Sequence, residues 1–444
     1  MQIVPVHFSD LQLLHNFFCA DESNLSVYDP NERLLASGHK PLITREGKFN
    51  LSANGTGMNA SMQFYFGDGN WKQGRKYIYI NNPDGTMRWI IPAEIKGTPH
   101  LALYNAATWK ARLYKSASSV LFAVGKNKWL ASGSFYVEHN VAAAVESKYG
   151  IAPGEHYAVF TGTRGDTRKV VVAVGKKKIT HFIKIAISEK SKQLINNEAI
   201  MLKELTKYDF TTLSMPRVTD PRINGTARLT NVKPAVTISA QRINEIHVRT
   251  LTELYSANHE KKRIADCAAW SAIANNMDWM QREHELNNGL DELKTRRIIH
   301  LMRKLYNSLP VDAEIPVSVS HGDFTPWNMY CDDSRLYVYD WELSSNGIPM
   351  LFDLYHFILQ SQVLIQHQQY PAIRSIVNQT IRNNNVQRLV SKYDIDTELH
   401  YRLFLLFTVS YYLRLYMSET ELLTQSHWMV DTWMDALEEV NSSH

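Results

Sequence analysis

The sequence predicts an α+β protein, and three observations predict it. Up to about residue 235 the apolar runs are short, rich in aromatic and β-branched residues, and separated by turns containing Gly or Pro. Beyond residue 353 apolar residues recur with helical period. Between these regions lies His321-Gly-Asp-Phe-Thr-Pro-Trp-Asn328, followed by a strand-like run over 336–340 that ends on Asp340.

With 444 residues the chain has room for two or three domains. Hydrophobic residues make up 44% and charged residues 21%, an ordinary globular composition. A net charge of +4 gives no ground for a nucleic-acid partner, and Lys176-Lys177-Lys178 reads as a solvated hairpin turn. Cys19, Cys267 and Cys331 are scattered, which argues against a zinc site or a disulfide framework and favours a reducing compartment. Residues 1–18 lack the basic start and apolar run of a signal peptide. The most apolar stretch, 403–413, is too short to span a bilayer. A cytoplasmic protein with no membrane span is the expectation.

Taken in order, 10–18 is helix-like and 1–145 otherwise reads as a separate β-rich or mixed domain. Strands are expected over 61–66 and 76–80. Asn82-Pro-Asp-Gly85 then makes a turn, because Pro sets φ and Gly supplies positive φ, and 86–91 returns. Further strands are expected over 101–104, 119–124 and 132–137. Trp71, Trp89, Trp109 and Trp129 would form a sugar-binding platform if exposed; as core residues they need no such role. Residues 140–149 read as a connecting helix, and Pro153-Gly154 breaks it.

A second region, 146–235, opens with strands over 157–161, 169–174 and 179–188. In the third, Ile183, Ile185 and Ile187 share one face while Phe182, Lys184 and Ala186 share the other. A lysine inside such a strand is costly without an anionic partner. The helix over 196–205 carries Glu198. Segments 214–218 and 227–232 follow, and Pro234 lies where this region ends. The third region, 236–444, begins with a helix over 244–255 and further helices over 260–308, where Asp278, Glu283 and Glu285 are acidic candidates. Helices are expected again over 354–366, 372–383, 398–417 and 427–440.

The chemistry concentrates in the loop. Asp323 can orient a hydroxyl or accept its proton. The side-chain oxygens of Asn328 and Asp340 are hard donors suited to Mg²⁺. Acceptor positioning and cations over phosphates are what phosphoryl transfer needs.

The loop and the following Tyr339-Asp-Trp-Glu342 resemble the catalytic loop and metal-binding strand of the aminoglycoside phosphotransferase and choline kinase-like family, small-molecule relatives of protein kinases. Gly347-Ile-Pro-Met-Leu-Phe-Asp353-Leu resembles the family's continuation, with one extra residue before an Asp that would brace the loop. The resemblance covers about residues 150–440. It implies a two-lobed kinase-like fold, with 146–235 as the small β-rich lobe and 236–444 as the helical lobe.

It further implies an ATP-dependent transfer, GTP being the alternative nucleotide, to a hydroxyl of a small molecule. The acceptor would be a sugar, an amino alcohol, an aminoglycoside or an envelope precursor. Asp323 would act on the hydroxyl, with His321 bracing the loop and Asn328 and Asp340 holding Mg²⁺. Lys184, held by Glu198, would meet the phosphates, and Gly162 and Gly165 form the turn that would lie over them. Replacing Lys184 by Met, which keeps the apolar stem, is then expected to cost turnover but little stability. A chain starting near residue 140 is expected to keep nucleotide binding. The competing class is a pseudokinase that binds nucleotide or a partner without turnover; every matched catalytic position is intact, which favours the enzyme.

Overall fold

Among the described residues, alternating apolar residues build one nine-stranded antiparallel sheet in the first half of the computed structural model. The structure describes residues 10, 13, 14, 17, 18, 48–51, 62–66, 74–95, 97–102, 109–162, 165, 167–220, 224–234, 237, 238, 240–282, 289–419 and 422–442. The chain forms two compact units. The first holds residues 1–199 and 217–231; the second holds 200–216 and 232–444.

The sheet of the first unit uses β1 (Lys48–Leu51), β2 (Met62–Phe66), β3 (Gly74–Asn81), β4 (Met87–Pro92), β5 (Gly133–Glu138), β6 (His156–Phe160), β7 (Lys169–Gly175) and β8 (Ile179–Ala186). After β9 (Leu213–Ser214), which pairs elsewhere, β10 (Thr226–Thr230) completes it. The spatial order is β1-β2-β5-β3-β4-β6-β7-β8-β10. At the expected turn the Asn82 N–H donates to the Thr86 carbonyl (2.7 Å), and Gly85 has φ 85°.

The pairing of β4 with β6, through Trp89 opposite Phe160 and Ile90 opposite Val159, joins the two expected regions into one sheet. Their cores are also joined. One cluster on the sheet contains Leu13, Leu14, Phe17 and Phe18 from the N-terminus, Tyr77 and Tyr79 of β3 and Phe135 of β5, together with Val170, Val172, Ile183 and Ile185 of β7 and β8. A smaller cluster holds Ile78, Trp89, Ile91, Phe122 and Ala158. The neighbours of each set along a strand fall into different clusters, as period-two alternation requires. The compact units therefore do not divide near residue 145.

Two strand expectations give way to helix. Residues 99–102 are a 3₁₀ turn, 103–108 lie outside the described residues, and 119–123 belong to α1 (Trp109–Ala123). The buried positions Ser118 and Phe122 are four apart, a helical spacing hidden by the short apolar run 120–124. The connector is α2 (His139–Lys148), and α3 (Glu189–Leu205) starts earlier than expected. Trp89 is buried against His100 and Phe160, whereas Trp129 is 74% exposed. Trp71 and the side chain of Trp109 lie outside the described residues.

The second unit is mainly helical: α4 (Glu245–Ala257), α5 (Ala268–Arg282), α6 (Glu292–Ser308), α7 (Phe352–Leu364), α8 (Tyr370–Ile381), α9 (Asn384–Tyr393), α10 (Thr397–Ser418) and α11 (Thr424–Ser442). Residues 260–263, expected as helix, belong to the strand β11 (His259–Arg263). It reads His-Glu-Lys-Lys-Arg and has no apolar alternation, so only its pairing with β12 (Glu314–Ser320) reveals it. β12 also pairs β15 (Ser345–Pro349), and β13 (Met329–Cys331) pairs β14 (Leu336–Val338), which takes β9 as a parallel neighbour. The expected α+β architecture, a β-rich unit and a helical one, is present. No helix among the described residues is long and apolar enough to cross a membrane.

Candidate active site

The loop is set by the strands on either side of it and by α7. β12 delivers Ser320, and Gly322 then turns the chain with φ 82°. A Cβ on Gly322 would lie 2.3 Å from the Leu343 carbonyl oxygen, so only glycine fits this approach. Asp353, in the first turn of α7, is 2% exposed. Its carboxylate accepts from the Ser320 hydroxyl (2.8 Å), the His321 N–H (2.8 Å) and the Gly322 N–H (3.1 Å). This is the bracing role expected of it.

His321 is fully buried, and its ring meets the edge of Trp341. Its Nδ1 accepts from the Asp323 N–H (3.2 Å), which leaves Nε2 to donate to the Tyr339 carbonyl (2.8 Å). The histidine thereby ties the loop to the segment carrying Asp340. The Tyr339 N–H closes the same link by donating to the Asn328 carbonyl (2.8 Å).

Asp323 keeps about a quarter of its side chain exposed. Its Oδ2 accepts from Asn328 Nδ2 (2.7 Å), and the same amide nitrogen also donates to the Asp323 carbonyl (3.1 Å). Its Oδ1 accepts from His356 Nε2 (3.1 Å). Tyr411 and Tyr412 of α10 lie within the field of this carboxylate. Burial, with Glu342 and Asp323 adding for Tyr411 and Asp323 for Tyr412, pushes both phenols up. They stay neutral donors in the physiological range.

Asp340 adopts the left-handed conformation (φ 64°, ψ 57°) and caps the 3₁₀ turn Trp341–Leu343. Few non-glycine residues take this region; Asp is among those that do. Because Asn328 commits Nδ2 to Asp323, its Oδ1 is the atom left to bind a cation. Among the described residues no three His, Cys, Asp or Glu side chains converge as a closed metal cage requires. The oxygen set of Asn328 and Asp340 instead fits Mg²⁺, which binds through one or two protein ligands and keeps its other positions for water and phosphate.

In the first unit Lys184 Nζ meets Glu198 Oε2 at 2.6 Å, with side chains 9% and 0% exposed. β8 lies between β7 and β10, so Lys184, opposite Val171 and Ala227, is on an interior strand. Snorkelling from a sheet edge is thus replaced by a buried ion pair.

The glycine turn between β6 and β7 is described at 161, 162, 165, 167 and 168. Gly162 has φ 78°, and a Cβ there would lie 2.3 Å from the Lys169 carbonyl oxygen; Gly165 has φ 134°. Arg168 Nε donates to the Thr161 carbonyl (2.8 Å), and its guanidinium lies 3.6 Å from Asp10.

The structure thus brings together His321, Asp323 and Asn328 with the backbone entering Asp340, and pairs Lys184 with Glu198. Of the acidic candidates, Asp278 pairs with Arg303 at the surface (3.5 Å), and Glu283 and Glu285 lie outside the described residues. Sequence reasoning missed His356. Its signal is its place one helical turn after Asp353, which puts both on one face of α7.

Comparison with a family model points to a phosphotransferase. The model of the phosphotransferase enzyme family matches residues 164–370, just under half of the chain, which bears out the resemblance read from the loop. No curated protein matches. Among solved structures, the GDP complex of wild-type aminoglycoside 2'-phosphotransferase-IIIa is similar at 15% identity and TM-score 0.42, over 68% of this chain and 98% of its own. A ternary complex of aminoglycoside phosphotransferase APH(4)-Ia with ADP and hygromycin B aligns at 12% identity and TM-score 0.38, over 67% and 97%. A glucosamine kinase aligns at 14% identity and TM-score 0.39, over 68% and 84%.

Proposed function

We propose that this chain is a small-molecule kinase that moves the γ-phosphoryl group of ATP, or alternatively GTP, to a hydroxyl group. The acceptor belongs to the sugars, amino alcohols, aminoglycosides or envelope precursors, and the reaction runs in the cytoplasm. The observation that carries this reading is the held Asp323 carboxylate. It is fixed by Asn328 and His356, partly exposed, and set in a loop bonded to the segment bearing Asp340. The family match over 164–370 supports the same class.

Asp323 accepts a hydrogen bond from the acceptor hydroxyl and takes its proton as the oxygen attacks the γ-phosphorus. The bond from that phosphorus to the β,γ-bridging oxygen breaks, and the nucleoside diphosphate leaves. His321 keeps the loop in register. Lys184, held by Glu198, supplies positive charge to the nucleotide phosphates, and the turn with Gly162 and Gly165 offers backbone N–H groups to them. Asn328 and Asp340 would hold Mg²⁺, which when bound neutralises charge on the phosphate oxygens.

The test is a screen of a metabolite library for ATP-dependent phosphorylation, with Asp323→Asn beside the parent. Turnover is expected to fall by roughly 10²- to 10⁴-fold, the scale for losing a positioned acid–base group, with the nucleotide Kd unchanged. A parent that binds ATP and phosphorylates nothing would establish the binding-only alternative.

A further inference from the structure

We propose that His356 is a positioning residue for the Asp323 carboxylate; this rests on Asp323 being the group that receives the acceptor's proton. His356 lies on α7 three residues after Asp353, so the two side chains share a helix face. Asp353 holds the loop by its backbone, and His356 holds the carboxylate itself, Nε2 to Oδ1 at 3.1 Å. A carboxylate oxygen only accepts, so Nε2 carries the proton of this bond.

The two oxygens of Asp323 are therefore fixed by different elements. Asn328, on the loop, takes Oδ2, and His356, on the helix, takes Oδ1. With Asn328 alone the carboxylate would be held only by another side chain of the same loop. The histidine refers it to a helix whose residues 352–361 are all buried. Its own side chain is 5% exposed, and its ring lies near-parallel to that of Tyr412, with centroids 6.1 Å apart.

His356 borders a cavity of about 80 Å³ shared with Gly322, Leu343, Phe407 and Tyr411. Without the imidazole N–H, Oδ1 loses the donor that α7 gives it. The orientation of the proton acceptor, rather than nucleotide affinity, is what His356 contributes.

Two variants of the full-length chain separate this from a structural role. His356→Leu keeps volume and removes the donor; His356→Gln keeps an N–H at similar reach. Turnover is read as ADP release from Mg-ATP, with water, or a hydroxyl-bearing metabolite that the screen finds to be phosphorylated, as acceptor. His356→Leu is expected to lower kcat about 10- to 100-fold, the scale of a misplacement near 1 Å, with the KM for ATP unchanged. His356→Gln should recover most of the loss. Equal losses in both variants, no loss in either, or a loss confined to KM would overturn the proposal.

A second readout needs no activity. In ¹⁵N-histidine-labelled protein the His356 Nε2–H correlation, assigned by its disappearance in His356→Leu, should vanish in Asp323→Ala. Its absence from the parent, or its persistence in Asp323→Ala, would also overturn the proposal. A parent without turnover would refute the kinase reading, while this spectrum still decides whether the contact exists.

Discussion

Lys184→Met tests the buried ion pair most directly. Lys184 is on an interior strand, and its ammonium reaches Glu198 at 2.6 Å, with side chains 9% and 0% exposed. The substitution keeps the stem and removes the cation from a buried carboxylate. Breaking a buried pair from one side costs about 3–5 kcal/mol. The expectation of little stability loss, which counts only the retained apolar stem, is thus replaced by a large one. In a unit of this size, at roughly 2–4 °C per kcal/mol, the first melting transition should fall by about 6–20 °C. The double variant Lys184→Met/Glu198→Leu removes both charges, and apolar replacement of a buried pair is neutral or better, so the melt should return toward the parent. ATP affinity, measured by calorimetry, should stay low in both. A single variant that loses less than about 1 kcal/mol would show the pair to be energetically like a surface bridge and refute the reasoning.

Asp340→Ala should weaken ATP binding with Mg²⁺ and leave binding without Mg²⁺ unchanged; equal calorimetric affinities for variant and parent at saturating Mg²⁺ would count against its role as a ligand. A chain starting at residue 140 loses β1 to β5, and with them Tyr77, Tyr79, Phe135 and Val137 from the core shared with β7 and β8, so it should be insoluble or fail to bind ATP. A soluble fragment with a cooperative melt and ATP binding would show that the strands from β6 onward suffice. Burial lowers His100 and His247 to about 4, so below pH 6.5 the unfolded chain takes up protons that the folded chain does not. Stability should be full above pH 6.5 and fall by about 3 kcal/mol per histidine on the way to pH 4, and melting temperatures that stay level from pH 7 to 4 would contradict this.

The loop was legible because its chemistry is local. His321, Asp323 and Asn328 sit within eight residues; two of their mutual hydrogen bonds use the Asp323 backbone, and the third joins the side chains of Asn328 and Asp323. Lys184 and Glu198 were legible for another reason: a lysine on an apolar strand requires a partner, and the next helix carries one. That residues before and after 145 share one sheet is not legible in the sequence, because alternation reports which strands exist but not which are neighbours. The sheet order places β5 between β2 and β3, and β4 against β6, pairings that no local pattern encodes. β11 escaped for a similar reason, since five polar residues carry no period. His356 was hidden because a histidine on a buried helix is usually a core residue, and only the fold brings Asp323 to it.

These cases point to where the candidate site gets its rigidity. Loops are ordinarily the mobile part of a fold, yet the role proposed for Asp323 needs a carboxylate held within a fraction of an ångström. Here the loop is anchored on α7, which enters through Leu351 in the left-handed conformation (φ 68°), a costly choice for leucine. That residue is fully buried, and its N–H donates to the Tyr255 hydroxyl of α4 (2.8 Å). The strain is therefore held by a hydrogen bond in the core, and it sets the start of the helix that offers Asp353 and His356 to the loop. Changing Leu351 or Tyr255 would rotate or fray that first turn, and both contacts with the loop would shift together. The position of Asp323 is in this sense a property of the packing of α4 against the entry to α7, not of the loop sequence alone.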